Sequence, residues 1–188
     1  MKKYYFLGFL LLILKLNSQI FVTQSGAGNK SGSSWANAST LQNAISNAGS
    51  NSQLWLKSGV YNITSSLVLE NNISNLKLYG GFAGTETNLN QRNYTTNLTI
   101  LDGQNTTQIL MLRSYNTEVN GITFRNGFVT GTITGGTNPN SGGGAIFVFG
   151  NNSILKNCKF TDNVSTSERG AGAVRRRTRV PWERRTPA

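Results

Sequence analysis

The chain contains no histidine and a single cysteine, Cys158, among its 188 residues. The missing imidazole removes the commonest general base and a frequent metal ligand. One thiol cannot form an internal disulfide framework. Acid–base chemistry would have to come from Asp and Glu, which together number only seven. Six of them lie in residues 19–174: Glu70, Glu86, Asp102, Glu118, Asp162 and Glu168. Only Asp162 and Glu168 are near neighbours in sequence. Glycoside hydrolysis and polysaccharide elimination need carboxylates that are paired or that hold a cation beside a basic group. No catalytic, metal-binding or cofactor-binding residue is therefore assigned, and no cofactor is expected. Asp102, just before Gly103, reads as a turn residue, and Glu118 with Arg113 as a solvated surface pair.

A long apolar run is also missing. The one at residues 4–14 is too short to cross a bilayer comfortably. Lys2 and Lys3 precede it, and Ser18 before Gln19 offers a small residue for cleavage. Residues 1–18 are therefore expected to be a signal peptide, leaving a secreted mature chain with no membrane span.

The net charge of +11 is unevenly spread. Residues 19–174 hold nine basic and six acidic side chains, whereas residues 175–188 hold six Arg and Glu183. The body has no basic patch, so nucleic acid is not an expected partner. The body has 23 Asn and the tail has none. The tail favours residues with GC-rich codons and the body residues with AT-rich ones. Residues 175–188 are expected to be out-of-frame or foreign sequence, which would make the chain the N-terminal fragment of a longer protein. The other reading is a genuine polybasic tail for anionic surfaces.

What the sequence has in abundance is Asn, Ser, Thr, Gly and a repeat. Residues 73–78 (ISNLKL), 119–124 (VNGITF) and 155–160 (LKNCKF) share one pattern of alternating apolar and polar positions around an Asn or Gly. The last two are 36 residues apart, and the match extends upstream, where ILMLRS aligns with AIFVFG, and downstream, where RNG aligns with TDN. Such self-similarity marks a repeat architecture. Alternation argues for short strands with one buried face. Asn75, Gly121 and Asn157 hold the bend position, and these residue types best tolerate a left-handed backbone. Strand, one-residue bend and strand cannot make a hairpin, so the chain turns a corner and goes on. Repeated, this predicts an all-β fold, a parallel β-helix, with a β-sandwich as the other candidate. Leu41, Ala44, Ile45 and Ala48 share one helical face, with Ser39 and Gln42 as a capping box and Gly49 as the stop. This helix is expected to cover the N-terminal end. Cys158 takes an apolar bend-adjacent position and reads as a small core residue. Loops are expected at residues 80–97 and 127–144. Tyr79, Phe82, Tyr94, Tyr115 and Phe128 are read mainly as packing between loops and strands, with sugar stacking as the functional alternative. The sequons at Asn62 and Asn93 are expected by chance at this composition.

These residues resemble a family. The runs GNKSGSSWANASTLQNAI, LWLKSGVY and LYGGFAGTETNLNQRNYTTNLTILDG look like the opening of secreted bacterial right-handed β-helix proteins. Gly143, Gly144, Ala145 and Ile146 match the GGA[ILV] signature of the polymorphic outer membrane protein family, and Phe160 with Asn163 matches its FxxN signature. Phe124-Arg-Asn-Gly127 departs from that signature by one residue. The resemblance implies a pectin-lyase-like right-handed solenoid over residues 19–174, secreted or bound at the bacterial outer membrane. Its implied role is adhesion or surface recognition, with host-cell or matrix glycans or surface proteins as partners. The alternative function is a fragment of a polysaccharide lyase or hydrolase of the same fold.

Overall fold

The computed structural model describes residues 19–130, 142–166 and 172–176. Residues 1–18, expected to be a signal peptide, most of the second long loop, Glu168 and the tail beyond Arg176 lie outside these. A lead-in strand β1 (Gln19–Val22) and helix α1 (Leu41–Asn47) precede β2 (Gln53–Lys57), β3 (Gly59–Asn62) and β4 (Leu67–Leu69). The next circuit is β5 (Lys77–Phe82), β6 (Thr99–Asp102) and β7 (Leu110–Leu112). It is followed by β8 (Glu118–Asn120), β9 (Ile122–Arg125), the two-residue β10 (Phe128–Val129) and β11 (Ile146–Val148). The last comprises β12 (Ile154–Lys156), β13 (Lys159–Thr161), β14 (Val164–Ser165) and β15 (Val174–Arg176).

Successive circuits stack strand on strand. Sheet I has the order β1-β2-β5-β8-β12, sheet II β3-β6-β9-β13 and sheet III β4-β7-β11-β15, with a small β10-β14 pair beside them. Every strand pair among the described residues is parallel. Over the described residues the molecule is thus β-rich and built from parallel sheets with one α-helix, and the antiparallel β-sandwich does not describe it. The proposed boundary between body and tail, after Val174, falls inside β15.

The sequence repeat is a register. Leu155 pairs with Val119, Phe160 with Phe124, Thr161 with Arg125 and Ile146 with Leu110, each the partner that the 36-residue offset assigns. Alternation places one apolar row inside each sheet. Leu54, Leu78 and Val119 follow one another inside sheet I; Leu101 and Phe124 do so in sheet II, and Leu69, Leu112 and Val148 in sheet III. Like sits on like, so each added circuit extends a continuous apolar interior, where a buried Leu contributes roughly 2 kcal/mol. Phe124 and Phe160 stack with centroids 5.3 Å apart. Cys158 is partly buried against this core, and its burial pushes the thiol pKa up.

All three corners use left-handed residues. Between sheets I and II stand Gly121 (φ 77°) and Asn157 (φ 51°); between II and III stand Asn126 (φ 54°) and Asp162 (φ 55°). Between III and I stand Asn75, Asn116 and Asn152, with φ from 55° to 59°, and Asn51 (φ 68°) holds the same place before β2, after helix α1. Asn75 is therefore a left-handed bend but not the counterpart of Gly121: Leu78, which the sequence pattern aligns with Phe124, lies beside Val119. The Asn side chains add a ladder. Asn75 Nδ2 donates to Asn51 Oδ1 and Asn152 Nδ2 to Asn116 Oδ1, both at 3.1 Å. The backbone N–H of Asn75 donates to the Tyr115 carbonyl at 2.9 Å.

The N-terminal end is covered. Leu41, Ala44, Ile45 and Ala48 are buried in the core, and α1 packs on β4 and β1. The cap differs from the expected Ser39–Gln42 box. Thr40 is the N-cap, its hydroxyl accepting from the Asn43 N–H at 3.4 Å, because Ser39 is drawn into backbone bonds with Phe21 and Thr23 on the free edge of β1. The helix closes at Ala48, whose N–H bonds to the Ile45 carbonyl, one residue before Gly49.

The segment after β5 folds back over the outer face of sheet I. Phe21, Trp55 and Tyr79 succeed one another on that face. Trp35 and Phe82 pack onto them, with Trp55 and Phe82 stacked at 4.6 Å. Glu86 ties the turn: its carboxylate accepts from the N–H groups of Ala83, Gly84 and Thr85 at 2.6, 2.9 and 3.0 Å. Its backbone carbonyl accepts from Trp35 Nε1 at 2.9 Å. Much of the GGFAGTETNLNQR run is accounted for by this second, external core.

The left-handed corners make a stability prediction. Asn75→Ala is expected to cost about 1–2 kcal/mol, since a β-carbon disfavours φ near 58°. Asn75→Gly is expected to cost less, losing only the amide bond to Asn51. Urea melts of the three proteins check the order; an Ala variant as stable as the Gly variant would refute it.

Candidate functional site

The outer face of sheet III carries a cleft of about 420 Å³. Its floor is Val68 of β4 and Met111 of β7, which are register partners pointing away from the interior that Leu67, Leu69, Leu110 and Leu112 fill. Its sides are the corner segment Thr106, Thr107 and Gln108 and, bonded to that segment, Phe128, Val129 and Thr130. Strand β10 is held there because the Phe128 N–H donates to the Thr107 carbonyl at 2.9 Å. The rim is hydroxyl- and amide-rich: Ser66 Oγ donates to the Gln108 carbonyl at 2.7 Å, and Gln108 Nε2 donates to the Gly143 carbonyl at 2.7 Å. Arg113 lines one end and pairs with Glu70 at 3.4 Å, both side chains well exposed. An apolar floor with a few converging polar groups is the usual composition of a small-molecule or sugar site.

The signature residues build the frame of this cleft without lining it. Gly143 contributes the carbonyl that orients Gln108. Gly144 lies where three backbones converge: an added Cβ would meet the carbonyl oxygens of Val164, Gly172 and Gly127. Ala145 and Ile146 are fully buried on the inner side of β11. Phe160 continues the interior ring stack. Asn163 staples the corner, its Oδ1 accepting from the Gly127 N–H at 2.8 Å and its Nδ2 donating to the Phe124 carbonyl at 3.0 Å. In FxxN the Phe thus fills the core and the Asn satisfies backbone groups of the preceding circuit. The bend residues Asn75, Gly121 and Asn157 stand at the other two corners.

The carboxylates are dispersed. Asp102 sits at a corner, bonded to Arg125 Nε at 2.7 Å, to the Gln104 N–H at 2.9 Å and to Asn126 Nδ2 at 3.1 Å. That is the turn role expected of it. The expected Glu118–Arg113 pair is not formed: Arg113 binds Glu70, while Glu118 faces Lys156 at 4.0 Å, because residues 114–117 turn the corner between them. Of the flagged aromatics, Tyr79 and Phe82 are buried, Phe128 lines the cleft, and Tyr94 and Tyr115 are exposed. Among the described residues there is no group of three His, Cys, Asp or Glu side chains placed to hold a metal ion. No described helix is long and apolar enough to cross a membrane. Ser66, Val68, Thr107 and Met111 were not singled out by the sequence; their one signal is the alternation that points Val68 and Met111 outward. Compared with known proteins, the chain matches no family model, no curated protein and no solved structure.

Burial alone would raise the Glu86 and Asp102 carboxyls. The backbone N–H donors at Glu86, and the Gln104 N–H, Arg125 and Asn126 at Asp102, outweigh it and hold both below the ordinary range. Their stabilisation is present above the unfolded values of about 4.3 and 3.9 and is lost as pH falls through the lower folded values. Urea midpoints are expected to fall as pH drops below the unfolded carboxyl values, and Glu86→Gln and Asp102→Asn to flatten that fall. Unchanged acid limbs in both variants would contradict the assignment.

Proposed function

We propose that the chain is a right-handed parallel β-helix, secreted and displayed at a bacterial surface, whose outward faces serve recognition of glycans. Three parallel sheets visited in fixed order, left-handed corners and a helical N-terminal cap support the fold reading. The resemblance of the GGAI and FxxN segments to polymorphic outer membrane proteins supports the secreted surface role. The single observation carrying the ligand class is the sheet III cleft. Its Val68–Met111 floor and half-buried Phe128 offer an apolar surface for a sugar ring, and Ser66, Thr106, Thr107 and Arg113 offer polar partners for hydroxyls.

A second reading rests on one feature of that cleft. Arg113 beside Glu70 is a basic group next to a carboxylate, the pairing from which polysaccharide elimination or hydrolysis could start. One experiment separates the two. The protein is screened on neutral and acidic oligosaccharides, and the bound ones are then incubated with it. Recognition predicts retention without consumption, with Phe128→Ala and Arg113→Gln each weakening binding about fivefold, the equivalent of roughly 1 kcal/mol. Release of reducing ends or unsaturated sugars, abolished by Arg113→Gln, would support the enzyme instead. No sugar binding affected by either substitution would overturn both.

A further inference from the structure

We infer a second ligand surface, separate from the cleft, on the outer face of sheet I: a cationic strip fitted to a linear polysaccharide carrying carboxylates. Two outward rows run across that sheet. In one, Lys77 of β5 stands directly beside Glu118 of β8; in the other, Tyr79 of β5, Asn120 of β8 and Lys156 of β12 follow in register. Lys77 and Lys156 are two strands apart and, because Lys156 is in register with Tyr79, two residues apart along the strand, a diagonal of roughly 12 Å at about 4.8 Å per strand and about 3.3 Å per residue. The strip therefore runs obliquely across the sheet, and a chain laid along that diagonal would meet both.

Arg92 joins them from the segment folded over this face. Its guanidinium lies over the rings of Tyr79 and Tyr94, at 5.0 and 5.3 Å. Its Nη1 donates to the carbonyls of Gly80 at 2.9 Å and Asn120 at 3.3 Å. These contacts fix the group in place, so little side-chain entropy remains to be lost on binding. The one acid among them, the half-buried Glu118, is held by Asn120 Nδ2 at 3.0 Å, by the Tyr79 hydroxyl at 3.5 Å and by Lys156 at 4.0 Å. Three cations against one carboxylate leave the strip positive, on a body that is otherwise close to neutral.

The chemistry favours a sugar polymer with sparse charge. Nucleic acid binding uses dense phosphate neutralisation and a series of aromatic platforms. Here only Tyr94 presents an exposed ring, and the residues beside it, Asn93, Thr95 and Thr96, are exposed amide and hydroxyl groups suited to sugar hydroxyls. Arg92, its Nη1 already bonded to two carbonyls, supplies a fixed positive charge for a carboxylate.

The test is retention of the full chain on immobilised alginate, with neutral dextran as the control. Residues 175–188 are present in every protein, so their arginines contribute a constant background. Lys77→Glu and Lys156→Glu are expected to weaken retention about fivefold each, roughly 1 kcal/mol apiece. Glu118→Gln is expected to strengthen it, and added salt to weaken it in all forms. Phe128→Ala, in the cleft, is expected to leave alginate retention unchanged, so this surface and the cleft can fail independently. Equal retention of the charge variants and the parent would overturn the strip, assigning any binding to the arginine-rich segment. Stronger competition by duplex DNA or anionic vesicles than by free alginate would overturn the ligand class. Should Lys77→Glu disturb the sheet, Glu118→Gln and the well-exposed Lys156→Glu still decide.

Discussion

Everything in this molecule depends on one backbone requirement: a strand must turn a sharp corner and pass on into the next sheet, again and again. A one-residue bend with φ near +55° does this, and asparagine meets it at little steric cost. The consequence is cumulative. Once each corner has the same geometry, the strands that follow fall into parallel register, and apolar side chains land on their own kind above and below. Gly121 and Asn157 show the alternatives at one corner. Glycine meets the backbone requirement by having no side chain, and asparagine meets it and adds a bond, Asn157 Nδ2 to Asn120 Oδ1 at 3.0 Å. The polar corner and the apolar interior are therefore two results of the same constraint.

The same constraint explains where irregularity is tolerated. An insertion at a corner leaves the stacked strands untouched provided its ends return to register. The segment between β5 and β6 does so while carrying its own internal order: the Glu86 carboxylate gathers three N–H groups, and Arg92 ties the segment back to Gly80 and Asn120. Phe21, Trp55 and Tyr79 would otherwise present an aromatic stripe to solvent. With Trp35 and Phe82 they form a second core outside the first, so this part of sheet I is packed on both faces.

The legibility of the sequence follows the same lines. The 36-residue register over the last two circuits was readable because successive strands and corners have equal lengths there, as at Val119–Leu155 and Phe124–Phe160. Earlier circuits were harder. Residues 73–78 have the same local pattern as 119–124, yet Asn75 turns the corner into sheet I while Gly121 turns the corner out of it. Both corners need a left-handed residue flanked by apolar positions, so local pattern alone cannot distinguish them; the partner across the ladder does. The cap residues of α1 were read by composition, but Ser39 is taken by the edge of β1, a tertiary demand invisible locally. The cleft was least legible. Val68, Met111 and Phe128 are brought together by a ladder pair and by one backbone bond to Thr107, and no short motif records that meeting.

A stacked architecture also decides where function can reside. Inner rows must repeat, because each apolar residue is packed by the ones above and below it, and corner residues must keep their backbone geometry. Only outward rows and corner insertions are left to carry chemistry. On sheet I the outward row changes character along the stack, from Phe21, Trp55 and Tyr79 to Asn120 and Lys156, while the inward row beside it stays apolar throughout. The aromatic half is covered by its own chain; beyond it Asn120 is still buried, and Lys156 stands exposed with its positive charge. On sheet III the outward pair Val68 and Met111 gains its polar rim from the corner segment and β10. In both places a row freed from the stacking requirement acquires its distinctive groups from segments that leave the regular strands, and the recognition chemistry arises at that junction.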